Sequence, residues 1–371
     1  MNKYLPLMLT VTLALGACSS PTATKENEKK EATSEQDKSK AEKKPKDDKV
    51  AEKKEESQPP FKPLEPAKDA VSLKESLAEE TPAEETETDQ EGKKEKPQRT
   101  VPLGETLANG VEDPSDGPLK NHRLVTYYGT PASKHMGILG KYEPEEYIKK
   151  LKEQTQVYSN LDPDRPAVPT IELITTMAQS APGPDGDYVQ MTSEENIETY
   201  VKLAEKHDAL VLLDIQLGTD TVMNQVKMVE KWLKRPNVHL AIDTEFHVAE
   251  GEKPGEDLGE VDGREIQEAI EYISAMAEKN NLPDKLVLIH QFTGPVLTNK
   301  DAIKPTENVE VAINFDGWGA AADKKALYGR YVRNEPIQYG AFKVFYEKDF
   351  PVLTPEEVLK MDPSPAVVNY Q

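Results

Sequence analysis

The chain has 371 residues, with 46 Lys and Arg against 67 Asp and Glu, for a formal net charge of −21. This acidic balance argues against nucleic acid and against an anionic lipid surface as electrostatic partners. Cys18 is the only cysteine, which excludes a disulfide within the chain and a cysteine-based catalytic or metal site in the folded part.

Residues 1–17 have the features of a secretion signal. Lys3 supplies a basic start, and residues 5–15 form an apolar core that is too short for a comfortable membrane span. The motif LGAC at residues 15–18 follows, and it resembles the lipobox of bacterial lipoproteins. That resemblance implies cleavage before Cys18 and a diacylglycerol on its thiol. The sequence therefore predicts a protein that is lipid-anchored to the extracytoplasmic face of the cell membrane.

Residues 18–118 are rich in Lys, Glu, Ala, Pro and Ser and contain few large apolar residues. Such a segment cannot bury enough apolar surface to offset the entropy of ordering it, so the composition predicts a disordered linker. We interpret it as a tether that holds a folded domain away from the membrane, with an r.m.s. reach of roughly 50 to 60 Å.

Residues 119–371 are predicted to form one folded domain, because apolar runs recur there at fairly even spacing. Short and nearly continuous apolar runs are typical of strands that are buried on both faces of a parallel sheet. The eight runs are LVTYYG (124–129), PTIELIT (169–175), ALVLLDIQ (209–216), HLAIDTE (239–245), KLVLIHQF (285–292), VEVAINFDG (309–317), AFKVFYE (341–347) and AVVNYQ (366–371).

Helix-like stretches separate most of these runs. Residues 262–280, for example, start with Asp262 as a cap and Glu265 three positions later, and their apolar residues recur at helical spacing. Eight β units that alternate with helices over about 250 residues predict a (β/α)8 TIM barrel. An open doubly wound sheet is the alternative, although no glycine-rich phosphate-binding motif supports a nucleotide-binding version.

Polar residues collect at the carboxyl ends of the predicted strands, where TIM barrels carry their chemistry. Because Leu240 and Ile242 face the helices, alternation directs Asp243 and Glu245 to the barrel axis. The same rule brings polar side chains of other strands to that place. The candidate site residues are Glu172, Asp214, Gln216, Asp243, Glu245, His290, Gln291, Asn314, Asp316 and Lys343, with Tyr128 on the first strand and Tyr370 on the last.

The stretch IDTE at residues 242–245 resembles the end of the D-x-E signature on strand four of family-18 chitinases, and it is similar to the D-x-E of family-25 muramidases. The resemblance implies that Glu245 is the general acid of a glycoside hydrolase. It also implies that Asp243 orients the N-acetyl group of the substrate, with Tyr128 or Tyr370 supporting that group. The upstream Asp residues of the chitinase motif are absent here. Over the whole domain, the sequence resembles secreted bacterial lipoproteins with a TIM barrel, and this resemblance does not indicate which activity, if any, the domain has.

Glu172 is a third candidate catalytic carboxylate, and the predicted substrate is peptidoglycan or another extracellular glycan.

Two other functions stay open. The carboxylates and His290 combine hard oxygen ligands with an imidazole, so a divalent-metal hydrolase or lyase is one alternative, although no cofactor is otherwise indicated. The other is a non-catalytic lipoprotein that binds wall glycan or another ligand in its polar barrel mouth.

Two more residues have two interpretations each. Trp318, in DGWG (316–319), is either a platform on which a sugar stacks or an anchor for its loop. Lys343 either takes part in the chemistry or neutralises one of the carboxylates, because a buried lysine is rarely left without a partner.

Overall fold

The computed structural model describes residues 59–74, 99–335 and 337–371. The predicted signal peptide, Cys18 and most of the predicted linker lie outside these ranges. None of the helices in the described ranges combines the length and the apolar character that crossing a bilayer requires.

The eight predicted strands are present and form a closed parallel barrel, which confirms the predicted TIM-barrel fold. All strands in chain order are β1 (Arg123–Gly129), β2 (Ala167–Ala178), β3 (Val189–Met191), β4 (Leu210–Gly218), β5 (Val238–His247), β6 (Val261–Asp262), β7 (Lys285–Gln291), β8 (Leu297–Thr298), β9 (Val309–Phe315), β10 (Tyr339–Val344) and β11 (Val367–Tyr370). The barrel order is β1-β11-β10-β9-β7-β5-β4-β2, and β2 closes the ring by pairing with β1. The three short strands lie outside the ring, with β3 antiparallel to β2 and β6 paired with β8.

Helices cover the outside of the barrel. They are α1 (Pro118–Asn121), α2 (Pro144–Leu161), α3 (Glu194–Lys206), α4 (Val222–Leu233), α5 (Gly263–Lys279), α6 (Ala321–Tyr328) and α7 (Pro355–Leu359), and a π-helical turn (Gly329–Arg333) continues α6. The cap predicted at Asp262 is confirmed, since its side chain accepts a hydrogen bond from the backbone of Arg264. Between β7 and β9 the helical part of the connection is a single 3-10 turn, Lys300–Ala302.

Side chains inside the barrel change from apolar to polar along the strands. Leu124, Leu212 and Leu288 belong to an apolar cluster that fills the lower part of the barrel. Two residues further along the same strands, the inward positions hold Thr126, Asp214 and His290 instead. The apolar layer closes the lower part to water, so the polar groups meet only at the end where the strands finish.

Part of the predicted linker packs against the barrel, so the structure differs from the sequence prediction there. The compact unit that contains the barrel also includes residues 59–74 and 99–118. Residues 59–74 lie along the barrel, where Leu64 donates its backbone N–H to Ala167 and the Phe61 ring meets the His122 ring edge-on. Few apolar residues were enough to order this segment, because the barrel supplies the rest of the buried surface.

Residues 99–118 close the lower end of the barrel. The carboxylate of Asp113 accepts hydrogen bonds from Gln338 and, at 2.6 Å, from the hydroxyl of the fully buried Tyr339. Deeper in, the Glu310 carboxylate accepts the backbone N–H groups of Leu119 and Lys120, both at 3.0 Å. The lower end is thereby sealed, and the described polar site lies at the opposite end.

Candidate active site

The barrel mouth contains a group of buried polar side chains, as the alternation of the strands predicts. These side chains come from different strands, and the register of neighbouring strands brings them to one level. Asp243 pairs with His290, and His290 pairs with Asn314. The inward residues of this group are Tyr128, Glu172, Asp214, Gln216, Asp243, His290, Asn314, Asp316 and Lys343, all buried, with the half-buried Glu245 above them.

His290 lies at the centre of the group. Its Nε2 atom is 2.9 Å from Glu172 Oε1, and its Nδ1 atom is 3.0 Å from Asp316 Oδ2. Burial lowers the pKa of this imidazole, but the hydrogen bonds to Asp316 and Glu172 outweigh burial and hold the pKa well above its ordinary value. Burial raises the pKa of Asp316, but the hydrogen bond from His290 and the positive charges of His290 and Lys343 together reverse that rise, so its pKa lies below the ordinary value.

Glu172 is positioned by two residues that the candidate set from the sequence does not include. Its Oε2 atom accepts hydrogen bonds from Thr126 Oγ1, at 3.0 Å, and from Asn369 Nδ2. Asn369 is the register partner of Thr126 on one side and of Lys343 on the other. Alternation therefore places all three side chains on the inner face of the barrel.

Asp243 is held by Gln216, its register partner on β4. The Gln216 amide donates to Asp243 Oδ2 at 3.3 Å and to the Tyr128 hydroxyl at 3.1 Å, while its oxygen accepts the backbone N–H of Ala178. Burial, followed by the negative charge of Asp316, raises the pKa of Asp243. The other carboxylate oxygen, Oδ1, has no hydrogen-bond partner among the described residues.

Glu245 is the member of the group that meets solvent. It lies two residues beyond Asp243 on the same face of β5 and is half-buried. Burial, followed by the charges of Asp243 and Asp316, raises the pKa of Glu245 to about 8, although Lys343 and His290 oppose the rise. A carboxyl group with this pKa keeps its proton at neutral pH and is able to donate it.

Lys343 reaches the mouth without a direct ion pair. Its ammonium group lies over the Tyr128 ring, 3.6 Å from the ring centroid. Among the described residues, no carboxylate oxygen lies within 4.0 Å of it. The positive charge of Lys343 therefore lowers the free-energy cost of burying the carboxylates around it without contacting them. Its N–H groups stay available at the mouth.

Three predicted site residues lie away from this group. The Gln291 side chain accepts a hydrogen bond from Lys300 at 2.8 Å, beside β7. Tyr370 faces α2 because its neighbour Asn369 faces inward; its hydroxyl is 2.7 Å from that of Tyr158. Tyr370 therefore does not line the mouth, and of the two tyrosines only Tyr128 does. Trp318 is 63% exposed in the loop after β9.

A scan of protein-family models and a search of curated proteins found no match to this chain. Solved structures that are similar to it include the following two. A β-glucuronidase from Parabacteroides merdae, with glycerol in its active site, covers 67% of this chain at 11% identity and a TM-score of 0.33. This chain spans 31% of that protein. A GH18 chitinase from Pseudoalteromonas aurantia also covers 67% of this chain at 11% identity and a TM-score of 0.33, and 93% of the chitinase is matched.

Proposed function

We propose that the barrel is a glycoside hydrolase that cleaves an N-acetylated glycan outside the cytoplasm. The observation that carries this proposal is the carboxyl pair on β5, with the half-buried Glu245 protonated near neutral pH and Asp243 buried beneath it. Glycoside hydrolysis needs a carboxylic acid with a raised pKa beside a second carboxylate. Glu245 is half-buried and holds a proton that it can donate, whereas Asp243 is buried and suits a role in orienting the substrate.

In the proposed reaction, Glu245 gives its proton to the glycosidic oxygen, and the bond from that oxygen to the anomeric carbon breaks. The carbonyl oxygen of the substrate's own N-acetyl group attacks the anomeric carbon and forms a cyclic intermediate. Asp243 accepts a hydrogen bond from the N–H of that group, and Tyr128 lies beside it. The ionised Glu245 then takes a proton from the water that opens the ring, which restores the acid and releases the sugar.

The proposal that the activity lies outside the cytoplasm is based on the LGAC motif at residues 15–18. A lipid on Cys18 would keep the barrel at the outer face of the cell membrane, where peptidoglycan is the abundant N-acetylated glycan. The test is metabolic labelling of cells with a fatty-acid probe. The wild-type protein should take up the label, and the Cys18→Ala variant should lose both the label and the membrane fraction.

The catalytic proposal is tested by replacing the acid. We expect Glu245→Gln to lower the release of reducing sugar from peptidoglycan and from chitin oligomers about 10²- to 10⁴-fold, because the amide cannot give up a proton. Glu250→Gln is the matched control, since Glu250 is exposed in the loop after the same strand and should retain full activity.

Circular dichroism of both variants shows whether the fold is kept. Turnover that survives Glu245→Gln in a folded protein contradicts the proposal. So does a wild-type protein that binds peptidoglycan without cleaving it, and that result would support a glycan-binding lipoprotein instead.

A further inference from the structure

Asp214 lies below the proposed acid and has no role in the reaction above. Its side chain is completely buried, and neither of its carboxylate oxygens has a hydrogen-bond partner among the described residues. A buried carboxyl group without partners costs several kcal/mol whether or not it carries a proton. A protonated Asp214 would still lack an acceptor for its O–H group, so protonation does not remove the need for a ligand.

Two further ligand atoms face the same space. His290 Nε2 lies 4.0 Å from Asp214 Oδ1 and 2.9 Å from Glu172 Oε1. The three ligand atoms of Glu172, Asp214 and His290 all lie within 4.8 Å of one another. Ligand atoms about 2.1 Å from one metal ion lie roughly 3 to 4 Å apart, so small side-chain adjustments place an ion between them.

The groups behind these ligands match the surroundings of known metal sites. His290 uses its other ring nitrogen, Nδ1, to contact Asp316 at 3.0 Å, and a metal-binding histidine almost always donates its other N–H to a carboxylate, a backbone carbonyl or water. Glu172 keeps Oε2 for Thr126 and Asn369, so Oε1, whose partner is His290 Nε2 at 2.9 Å, is the oxygen that an ion would bind in place of the proton between the two atoms. The orientations of Glu172 and His290 are thus set by other residues.

We propose that Glu172, Asp214 and His290 form a binding site for a divalent transition-metal ion, Zn²⁺ or Mn²⁺. One imidazole nitrogen with two carboxylate oxygens suits these ions better than Mg²⁺ or Ca²⁺, which prefer oxygen ligands alone. Three protein ligands leave at least one position for water. The site lies deeper than Glu245 and stands whether or not the barrel cleaves glycosides.

The test uses the purified full-length protein after dialysis against a chelator, with Zn²⁺, Mn²⁺, Mg²⁺ and Ca²⁺ added separately. We expect Zn²⁺ or Mn²⁺ to bind at about one ion per chain and to raise Tm by roughly 5 to 10 °C at about 100 times Kd. Elemental analysis and isothermal titration calorimetry measure the binding, so no activity assay is needed.

Two matched variants locate the ion. Asp214→Asn should abolish binding and the rise in Tm while the metal-free variant stays folded. Asp243→Asn removes an equally buried carboxylate that belongs to a different group, with His290 and Asp316, and it should keep the ion. Loss of binding in Asp243→Asn alone would overturn the assignment, as would binding of Mg²⁺ or Ca²⁺ only, or no ion at all.

Discussion

At the scale of the residue, the pKa of Glu245 depends on the charged groups that share a small buried space with it at the barrel mouth. The charges that act on Glu245 are those of Asp243 on its own strand, Asp316 after β9, Lys343 on β10 and His290 on β7. The carboxylates and burial raise its pKa, and the two cations lower it. Because the proton is bound more tightly in the folded state, the stabilisation it contributes is complete below pH 4.5 and is lost as pH rises through about 8.

Activity should therefore decline as pH rises through about 8, because the acid loses its proton there. We expect Lys343→Met to move the midpoint of this decline to higher pH, since the cation that favours the ionised form of Glu245 is gone. The measurement is kcat/KM against pH between 5 and 10, a range of roughly two or more either side of the expected midpoint.

Lys227→Met is the control for that profile. Lys227 is exposed on α4, so removing its charge should leave the midpoint unchanged. A midpoint in Lys343→Met that is equal to the wild-type value, or lower, would show that Glu245 is not the acid that the profile reports.

At the scale of the element, residues 99–117, which precede α1, pack against the barrel as part of the same folded unit. Asp113 joins the segment to β10 through Tyr339, and Gly117 passes directly over Glu310. A Cβ atom at position 117 would lie 2.3 Å from the carboxyl carbon of Glu310, so a larger residue there would have to displace this carboxyl group from the N–H groups of Leu119 and Lys120. These contacts, together with the four-residue helix α1, close the lower end of the barrel.

We expect Asp113→Ala to lower the free energy of unfolding by about 1 to 3 kcal/mol, because it leaves the buried Tyr339 hydroxyl without an acceptor. Urea denaturation followed by circular dichroism measures this change. Glu112→Ala, at the exposed neighbouring position, should change the value by less than about 0.5 kcal/mol. Equal stability of the two variants would mean that the segment contributes little to closing the barrel.

At the scale of the whole molecule, the folded unit is larger than the barrel that the strands define. Phe61 and Leu107 pack against the apolar cluster inside the lower barrel, and Leu73 packs against the larger cluster between the strands and helices. Each is only partly buried, but together they cover apolar surface that the barrel would otherwise expose to water.

A chain that starts at residue 119 should be less stable than one that starts at residue 57, by roughly 3 to 6 kcal/mol, because several partly buried apolar side chains and the seal at the lower end are lost. Thermal unfolding of the two chains under the same buffer conditions measures the difference. Equal Tm values would place residues 59–118 with the linker, as their composition alone suggests.

The sequence by itself determined the barrel and the direction of most of its polar side chains. Continuous apolar runs and the two-residue period of a strand are local properties, so Asp214, Asp243 and Glu245 were placed on the inner face correctly. The same period indicates that Tyr370 faces the helices and Asn369 the axis, and the candidate set overlooked this.

Only the tertiary structure decided which polar groups touch and which stretch of the low-complexity segment is ordered. The pairing of His290 with Glu172 and Asp316 joins residues far apart in the chain, and strand register sets it. The composition of residues 59–74 and 99–118 indicates disorder because few of their residues are apolar. They are ordered because the barrel supplies the surface against which those few residues are buried, and no local property of the segment contains that information.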